Sequence, residues 1–198
     1  IISLNCETDF VAKNESFVAL ANQIATIALY ANTKDELLSS DFENMTVQEK
    51  LIEQTGVIGE KLEIGSFERI SSEFVGSYIH AGNKIATIVG LSNSFDGASE
   101  VAKNVSMQAA AMNPVALDKS GVSKDVIEKE IEIAKDQLRA EGKPEAMLDN
   151  IAKGKLKKFF KENTLVNQAF IKDNKLSVTD YVKSCLLYTS DAADECSC

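Results

Sequence analysis

The segment Thr8-Asp9-Phe10-Val11 places an acid beside an aromatic residue where a strand is predicted to give way to a helix. Its apolar residues fit neither the alternation of a strand nor the three- and four-residue spacing of a helix. Two interpretations follow. Phe10 can fill the core at this junction, or the segment can be an exposed wedge, braced by a strand and a helix, that enters a partner protein.

The remaining reactive residues form no recognisable catalytic group. A single histidine, no serine elbow flanked by glycines and no phosphate-binding glycine loop argue against a hydrolase or an NTPase. Cys6 is a possible nucleophile, although a cysteine in a strand is more often a small buried hydrophobe. His80 can bond at an interface, although a histidine beside a turn is commonly solvated. We therefore expect no enzyme, with catalysis through Cys6 as the weakest alternative.

Ligand sites are equally unsupported. Three of the four cysteines, Cys185, Cys196 and Cys198, fall in the last 14 residues, which is not a disulfide framework, and their spacing lacks that of common zinc sites. The segment 153–161, KGKLKKFFK, mixes lysines and aromatics, but lysines near a helix C-terminus with Phe residues packed inward explain it more simply. We expect no metal and no cofactor.

Composition narrows the class of partner. The 198 residues carry a formal net charge of −9, which argues against a large phosphate-binding surface and hence against direct binding of nucleic acid. No apolar run is long enough to span a bilayer, and no signal peptide is recognisable. The expectation is a cytoplasmic protein without membrane contact, whose partner is a protein or a small ligand.

Helical periodicity surrounds the Thr8–Val11 segment and recurs later. An apolar stripe predicts a helix over about 15–31 capped by Asn14, and Thr46-Val47-Gln48-Glu49 reads as a capping box opening a helix to about Ile58. A third helix is predicted over about 98–112, ending before Pro114. The segments 21–32 and 102–113 align with apolar positions in register, which favours two related subdomains.

Strands and a helical pair complete the chain. The segments 61–70, 73–80 and 84–91 are rich in β-formers and predict an antiparallel meander, with a tight turn at 80–83. Two charged helical segments over 123–162, broken at Gly142-Lys143-Pro144, predict an antiparallel hairpin. An extended return and a short helix capped by Ser177 are predicted over 164–183.

Several of these segments resemble one family. NCETDFVAKNESF (5–17) is similar to the signature of bacterial translation elongation factor Ts, the guanine-nucleotide exchange factor of elongation factor Tu. SYIHAGNKIATIVGL (77–91), VSMQAAAMNP (105–114), GKPEAMLDNIAKGKLKKFF (142–160) and TLVNQAFIKD (164–173) resemble further family motifs in the family's order. The resemblance covers roughly residues 1–183.

The resemblance implies both a fold and a mechanism. The fold is α+β, with two related subdomains of small antiparallel sheets flanked by helices and a protruding antiparallel helical hairpin. In the family, the acid and the aromatic of the tetrapeptide insert between helices of the partner's G domain and displace groups that hold magnesium. The residues implied here are Thr8, Asp9, Phe10 and Val11, and, on a weaker match near the partner interface, His80. The implied partner is elongation factor Tu, in its GDP-bound and nucleotide-free forms.

Departures from the family carry their own expectations. Gln108 and Asn83 stand where the family has His and Gly, so neither receives a role beyond structure. No ubiquitin-associated-like domain precedes Ile1, and we expect weaker affinity for that reason. The tail SCLLYTSDAADECSC resembles non-native sequence where the family continues into a final strand, so one sheet is expected to lack an edge strand.

The expected domain organisation has five parts. They are a core N-subdomain over 1–70, the first part of a core C-subdomain over 71–122, the hairpin over 123–162, the return of the C-subdomain over 163–184, and a non-native, poorly packed tail over 185–198. A competing hypothesis assigns the hairpin as a protein-interaction or chaperone-like module without exchange activity.

Overall fold

The structure, a computed structural model, describes residues 1–194, with the backbone alone for residues 187–194. Its helices and small antiparallel sheets confirm the predicted α+β class. The chain forms two compact units, one of Ile1–Ser71 with Ile79–Ile88, the other of Ser72–Tyr78 with the chain from Val89 onward. The five-part division stays a prediction. Within the described residues, every helix is too short or too polar to cross a membrane.

The first unit packs its helices around one apolar core. Its elements are β1 (Ile2–Asn5), α1 (Asp9–Ala12), α2 (Glu15–Ala28), α3 (Lys34–Ser39), β2 (Asp41–Phe42), β3 (Met45–Thr46), α4 (Val47–Ile58) and β4 (Glu63–Phe67). Helix α2 buries Phe17, Leu20 and Ile24, as its apolar stripe predicts. Strand β1 pairs antiparallel with β4, with Asn5 opposite Glu63. This pairing places the end of β1 beside the start of β4.

Helix caps in the first unit agree with the sequence. The side chain of Asn14 accepts a hydrogen bond from the N–H of Ser16 at 2.9 Å, which confirms it as the cap of α2. Thr46 and Glu49 form the predicted capping box of α4. Helix α4 ends at Ile58 and is capped by Gly59, whose φ of 81° is a left-handed conformation that suits glycine. The chain therefore reverses there, and Glu60 is the first residue after the reversal.

The predicted three-stranded meander is wrong. Strands β5 (Phe74–Ile79) and β6 (Ala86–Leu91) form a two-stranded hairpin, while β4 pairs with β1. Residues 68–73 connect β4 to β5 without a glycine or asparagine to form a tight turn, whereas β1 offers β4 an extended partner. The β5–β6 turn itself is as predicted, because Gly82 (φ 88°) and Asn83 (φ 59°) both adopt positive φ.

The second unit is built on a mostly helical core. After the base of the β5–β6 hairpin come α5 (Ala98–Met112), α6 (Lys124–Ala140), α7 (Glu145–Asn163), β7 (Ala169–Phe170), β8 (Asp173–Ser177) and α8 (Val178–Asp194). Val101, Val105, Leu165, Phe170 and Val178 form its buried apolar cluster. Helix α5 ends at Met112, before Pro114 as predicted, and its C-cap Asn113 adopts a left-handed conformation.

Gln108 crosses this core as a polar link. Its side chain is fully buried. The amide donates to the side-chain oxygen of Gln168 at 3.0 Å and to the carbonyl of Ala169 at 3.1 Å, and it accepts from the N–H of Ile171 at 2.8 Å. Gln108 therefore links α5 to the segment around strand β7.

Helices α6 and α7 lie side by side and run antiparallel. Lys135 pairs with Asp149 at 2.6 Å and Arg139 pairs with Glu145 at 2.8 Å, so positions pair in reverse order. Ala134, Leu138, Leu148 and Ala152 are buried along the seam. Leu148 in α7 is buried, whereas the preceding Met147 is half exposed.

Helix α8 is longer than the short helix predicted there. Ser177 caps it, since its hydroxyl accepts from the N–H of Asp180 at 3.1 Å. Cys185 packs against the second core. The predicted poor packing of 185–198 rests on residues 187–198, whose side chains lie outside the described residues, as do Cys196 and Cys198 entirely.

Candidate protein-docking site

The tetrapeptide Thr8–Val11, called here the docking element, is a single turn of helix held between a strand and a longer helix. Strand β1 ends at Asn5, α1 begins at Asp9 and α2 begins at Glu15. Thr8 is the N-cap of α1, with extended backbone (φ −122°, ψ 152°), and its hydroxyl accepts from the N–H of Val11 at 3.4 Å. The short turn is why neither a strand nor a helix pattern fits the sequence here.

Phe10 points outward. Its side chain is 90% exposed, which is the largest exposed fraction among the exposed large hydrophobic side chains of the described chain. Val11 is half buried and packs against the first core. Successive residues on a helix are separated by about 100° of rotation, so an inward Val11 turns its neighbour outward. The interpretation of Phe10 as a core residue is therefore wrong, and Val11 has that place.

Asp9 is paired across to the β5–β6 turn. Its carboxylate lies 2.9 Å from the Nζ of Lys84, and both side chains are mostly exposed. The hydrogen bond from Lys84, followed by its charge, holds the pKa of Asp9 below its ordinary value. The acid of the docking element is therefore ionised at neutral pH and already engaged by one cation of the same unit.

His80 lies at the start of the same turn. Its side chain is exposed, its backbone N–H donates to the carbonyl of Ile85 at 2.8 Å, and its carbonyl accepts from the N–H of Asn83 at 3.0 Å. The turn thus presents His80 close in sequence to the lysine that contacts Asp9. Sequence reasoning selected His80 and missed Lys84, because nothing local connects residue 84 with residue 9.

Glu60 contacts the docking element from the other side. Its Oε2 accepts from the N–H of Glu7 at 3.0 Å and from the N–H of Thr8 at 2.9 Å, and its Oε1 accepts from the hydroxyl of Thr8 at 2.5 Å. The hydroxyl of Thr8, ahead of the two N–H groups, lowers the pKa of Glu60. Sequence reasoning missed Glu60 entirely. The only signal was the glycine before it, which marks a reversal but not its destination.

Cys6 is a poor nucleophile in this setting. It is half buried, and its thiol donates to the carbonyl of Thr8 at 3.4 Å. Burial, and then the negative charge of Glu60, raise the pKa of Cys6. Because the thiolate is the reactive form, a raised pKa disfavours catalysis. Cys6 reads as a packing residue next to the docking element.

Comparison with known proteins assigns the chain to a family. The family model described as "Elongation factor TS" matches residues 7–188. The chain is 67% identical over 184 residues to elongation factor Ts of Christiangramia forsetii, and 65% identical over 184 residues to that of Flavobacterium psychrophilum. Each alignment covers 93% of this chain and 67% of the relative. Elongation factor Ts of Amoebophilus asiaticus is 50% identical over 185 residues. The chain belongs to the elongation factor Ts family.

Proposed function

We propose that this chain is a guanine-nucleotide exchange factor that binds elongation factor Tu with GDP and promotes GDP release during translation elongation. Membership of the elongation factor Ts family supports the general role. The observation that carries the mechanism is the 90% exposed ring of Phe10 on a one-turn helix whose backbone is held at both ends. A large apolar side chain displayed so fully on an ordered turn is suited to entering a partner.

Exchange requires no catalytic group. A factor that binds the nucleotide-free partner better than the GDP-bound partner weakens GDP by the same factor by which GDP weakens it. Magnesium demands near-ideal octahedral geometry, so small displacements of the groups around it loosen the nucleotide. In this proposal Asp9 and Phe10 disturb the magnesium and nucleotide site of elongation factor Tu. The factor itself uses no metal and no cofactor.

The four residues of the docking element divide the work. Phe10 inserts into the partner, and burying its ring supplies about 1.5–3 kcal/mol to hold the displaced arrangement. Asp9 supplies a negative charge next to it. Thr8 and Val11 keep the turn in place through the cap hydroxyl and the core contact. His80 contacts the partner from the neighbouring turn.

The surroundings suit a protein partner in the cytoplasm more than nucleic acid or a membrane. The net charge of −9 opposes phosphate backbones. The docking element presents an exposed aromatic residue and an acid, and the exposed His80 lies in the same unit. Interfaces between proteins concentrate their binding energy in a few such residues.

The decisive measurement is the release of labelled GDP from elongation factor Tu. We expect Phe10→Ala to lower the acceleration by at least about tenfold, since 1.5–3 kcal/mol of ring burial is lost. Tyr30→Ala is the matched control, because Tyr30 is 86% exposed in the same unit but lies outside the docking element. It should act like the unaltered protein. Equal acceleration by Phe10→Ala and the unaltered protein would rule out the wedge mechanism.

A further inference from the structure

We propose that Glu60 is the positioning residue of the docking element: its carboxylate holds the turn so that Phe10 is displayed before the partner arrives. The inference rests on the exchange function proposed above. Glu60 does not touch the partner in this scheme. It acts through Glu7 and Thr8.

The docking element needs such a residue because it cannot hold itself. Helix α1 has four residues and buries none of them fully. An isolated helix of this length is unstable in water, since nucleation fixes several dihedral angles for one hydrogen bond. Val11 attaches the turn to the first core through a half-buried contact, which lies at the end of α1. An attachment at the start of the turn would fix its orientation further.

Glu60 supplies that attachment with both of its oxygens. One oxygen accepts the N–H groups of Glu7 and Thr8, and the other accepts the hydroxyl of Thr8. These N–H groups precede the first helical residue and have no partner within α1. Three donors converge on one ionised acceptor, and hydrogen bonds to an ionised group are about twice as strong as neutral ones.

The bond to the hydroxyl extends the effect into the helix. A hydroxyl has one donor and two acceptor positions. The hydroxyl of Thr8 donates its hydrogen to Glu60 and accepts a hydrogen bond from the N–H of Val11 at 3.4 Å. Glu60 therefore sets the orientation of the cap oxygen on which the turn closes. The contact runs from Glu60 through Thr8 to Val11, the residue that follows Phe10.

Glu60 is itself well placed to act as an anchor. It lies between Gly59, where α4 ends, and Leu62, which is buried in the first core. The N–H of Leu62 donates to the hydroxyl of Thr55 in α4 at 3.1 Å, which closes this connection. The side chain of Glu60 thus connects the docking element to α4 and to the core on which α4 packs.

Lys84 is the competing candidate, and its contact is weaker as a positioning device. It forms one ion pair with Asp9, between two side chains that are 70% and 62% exposed. Exposed pairs of this kind contribute little, since solvent screens them and both side chains lose rotamer freedom. Lys84 also touches a side chain, whereas Glu60 holds backbone N–H groups. Only the latter fixes the path of the chain.

The test compares the rate of GDP release from elongation factor Tu with four chains: unaltered, Glu60→Ala, Glu60→Gln and Glu53→Ala. Glu60→Ala should lower the acceleration about tenfold, on the scale of a charge-assisted hydrogen bond lost at a site that must be ordered. The acceleration with Glu60→Gln should lie between those of the unaltered protein and Glu60→Ala. The amide of glutamine has only one acceptor oxygen and turns an NH2 group toward the donors. Glu53 lies in α4 and pairs with Lys50 and Gln54, so Glu53→Ala should change nothing.

A double-mutant cycle separates positioning from general destabilisation. If Glu60 acts only by displaying Phe10, then Glu60→Ala should have little effect in a chain that already carries Phe10→Ala. Independent, additive losses would overturn the inference while leaving the exchange function intact. If Phe10→Ala itself has no effect, the exchange mechanism proposed above fails instead. The two failures are thus distinguishable.

A spectroscopic measurement makes the inference testable without the partner. The amide signals of Glu7 and Thr8 should shift in Glu60→Ala, and their hydrogen exchange should accelerate, while the amides of α2 and the thermal midpoint stay close to those of Glu53→Ala. The inference would be overturned if Glu60→Ala left the amide shifts and hydrogen-exchange rates of Glu7 and Thr8 unchanged. It would also be overturned if Glu60→Ala lowered hydrogen-exchange protection throughout the first unit.

Discussion

Glu60 and Gln108 each use a side chain to link two distant segments of the chain, but their surroundings differ. Each side chain bonds backbone groups far away in sequence, Glu60 those of Glu7 and Thr8 and Gln108 those of Ala169 and Ile171. Gln108 is fully buried, whereas Glu60 is half buried and the residues that it bonds, Glu7 and Thr8, are exposed. A lost buried partner leaves donors and acceptors without water, whereas a lost surface partner is replaced by water. We therefore expect the hydrogen bonds of Gln108 to contribute mainly to the stability of the fold. We expect those of Glu60 to contribute mainly to the orientation of Phe10.

The largest effect is expected where the link is buried. Gln108→Leu should lower the free energy of unfolding by about 3 kcal/mol, because it leaves the buried side-chain oxygen of Gln168 unpaired and removes the part-buried bonds to Ala169 and Ile171. Urea unfolding followed by circular dichroism measures this. Lys103→Ala, exposed on the same helix, is the control and should stay within about 0.5 kcal/mol. If Gln108→Leu lowered the free energy of unfolding no more than Lys103→Ala does, Gln108 would contribute no more to stability than an exposed residue. The proposed difference from Glu60 would then be wrong.

The cap hydroxyl should show the opposite balance between stability and function. Thr8→Val keeps the shape but loses the bond to Glu60 and the cap, so GDP release from elongation factor Tu should slow about fivefold, as expected for a cap worth about 1 kcal/mol. Thr8→Ser keeps the hydroxyl and should restore most of the rate. Slow release with Thr8→Ser and unaltered release with Thr8→Val would show that the methyl group, rather than the hydroxyl, is what matters.

Acid should release the Glu60 contacts. The hydrogen bonds that Glu60 accepts lower its pKa in the folded protein. Their stabilisation is therefore fully present above the ordinary glutamate pKa of about 4.3, and it is lost as the pH falls through the lower pKa of the folded state. The amide shift of Thr8 should therefore titrate with a midpoint below about 4.3. Asp9 and Glu7 also lie nearby, and the transition is assigned to Glu60 by its disappearance in Glu60→Gln. A midpoint above 4.3 would contradict the described hydrogen bonds.

A smaller effect is expected at Lys84. Lys84→Met removes the ion pair with Asp9, which is exposed at both ends, so GDP release should change by less than about twofold and the change should fade as salt is added. Stopped-flow release at low and high ionic strength measures it. A loss as large as that from Glu60→Ala would move the positioning role from Glu60 to Lys84.

The hairpin should matter least for exchange. Shortening the tip around Gly142, between α6 and α7, leaves both units and the docking element in place, so exchange should largely survive. Binding assays with elongation factor Tu run alongside. A collapse of partner binding would favour the competing hypothesis of an interaction module that works through this hairpin.

The sequence carried most of the local structure. Asn14 and Thr46 were identified as caps, and the positive-φ turn at Gly82 and Asn83 followed from residue type. The apolar stripe of α2 was read from spacing alone. These features depend on residues within one or two turns of each other, which a linear pattern records directly.

The candidate site was only half predictable. The tetrapeptide stood out because it fits no regular pattern, and its likeness to the family motif proposed a role for it. Whether Phe10 or Val11 points inward depends on how one turn sits on a core formed by residues from elsewhere in the chain. The pairing of β4 with β1 was missed for the same reason, since the nearer strand in sequence is β5.

By itself, the sequence determined the caps and the helix faces, because they depend on neighbouring residues, and it determined the α+β class through its resemblance to the family. Tertiary structure alone decided that Phe10 faces solvent, that Glu60 accepts hydrogen bonds from Glu7 and Thr8, and that Lys84 pairs with Asp9. The last two contacts join residues more than 50 positions apart. Their energy depends on distance and burial in the folded chain, which no local spacing encodes.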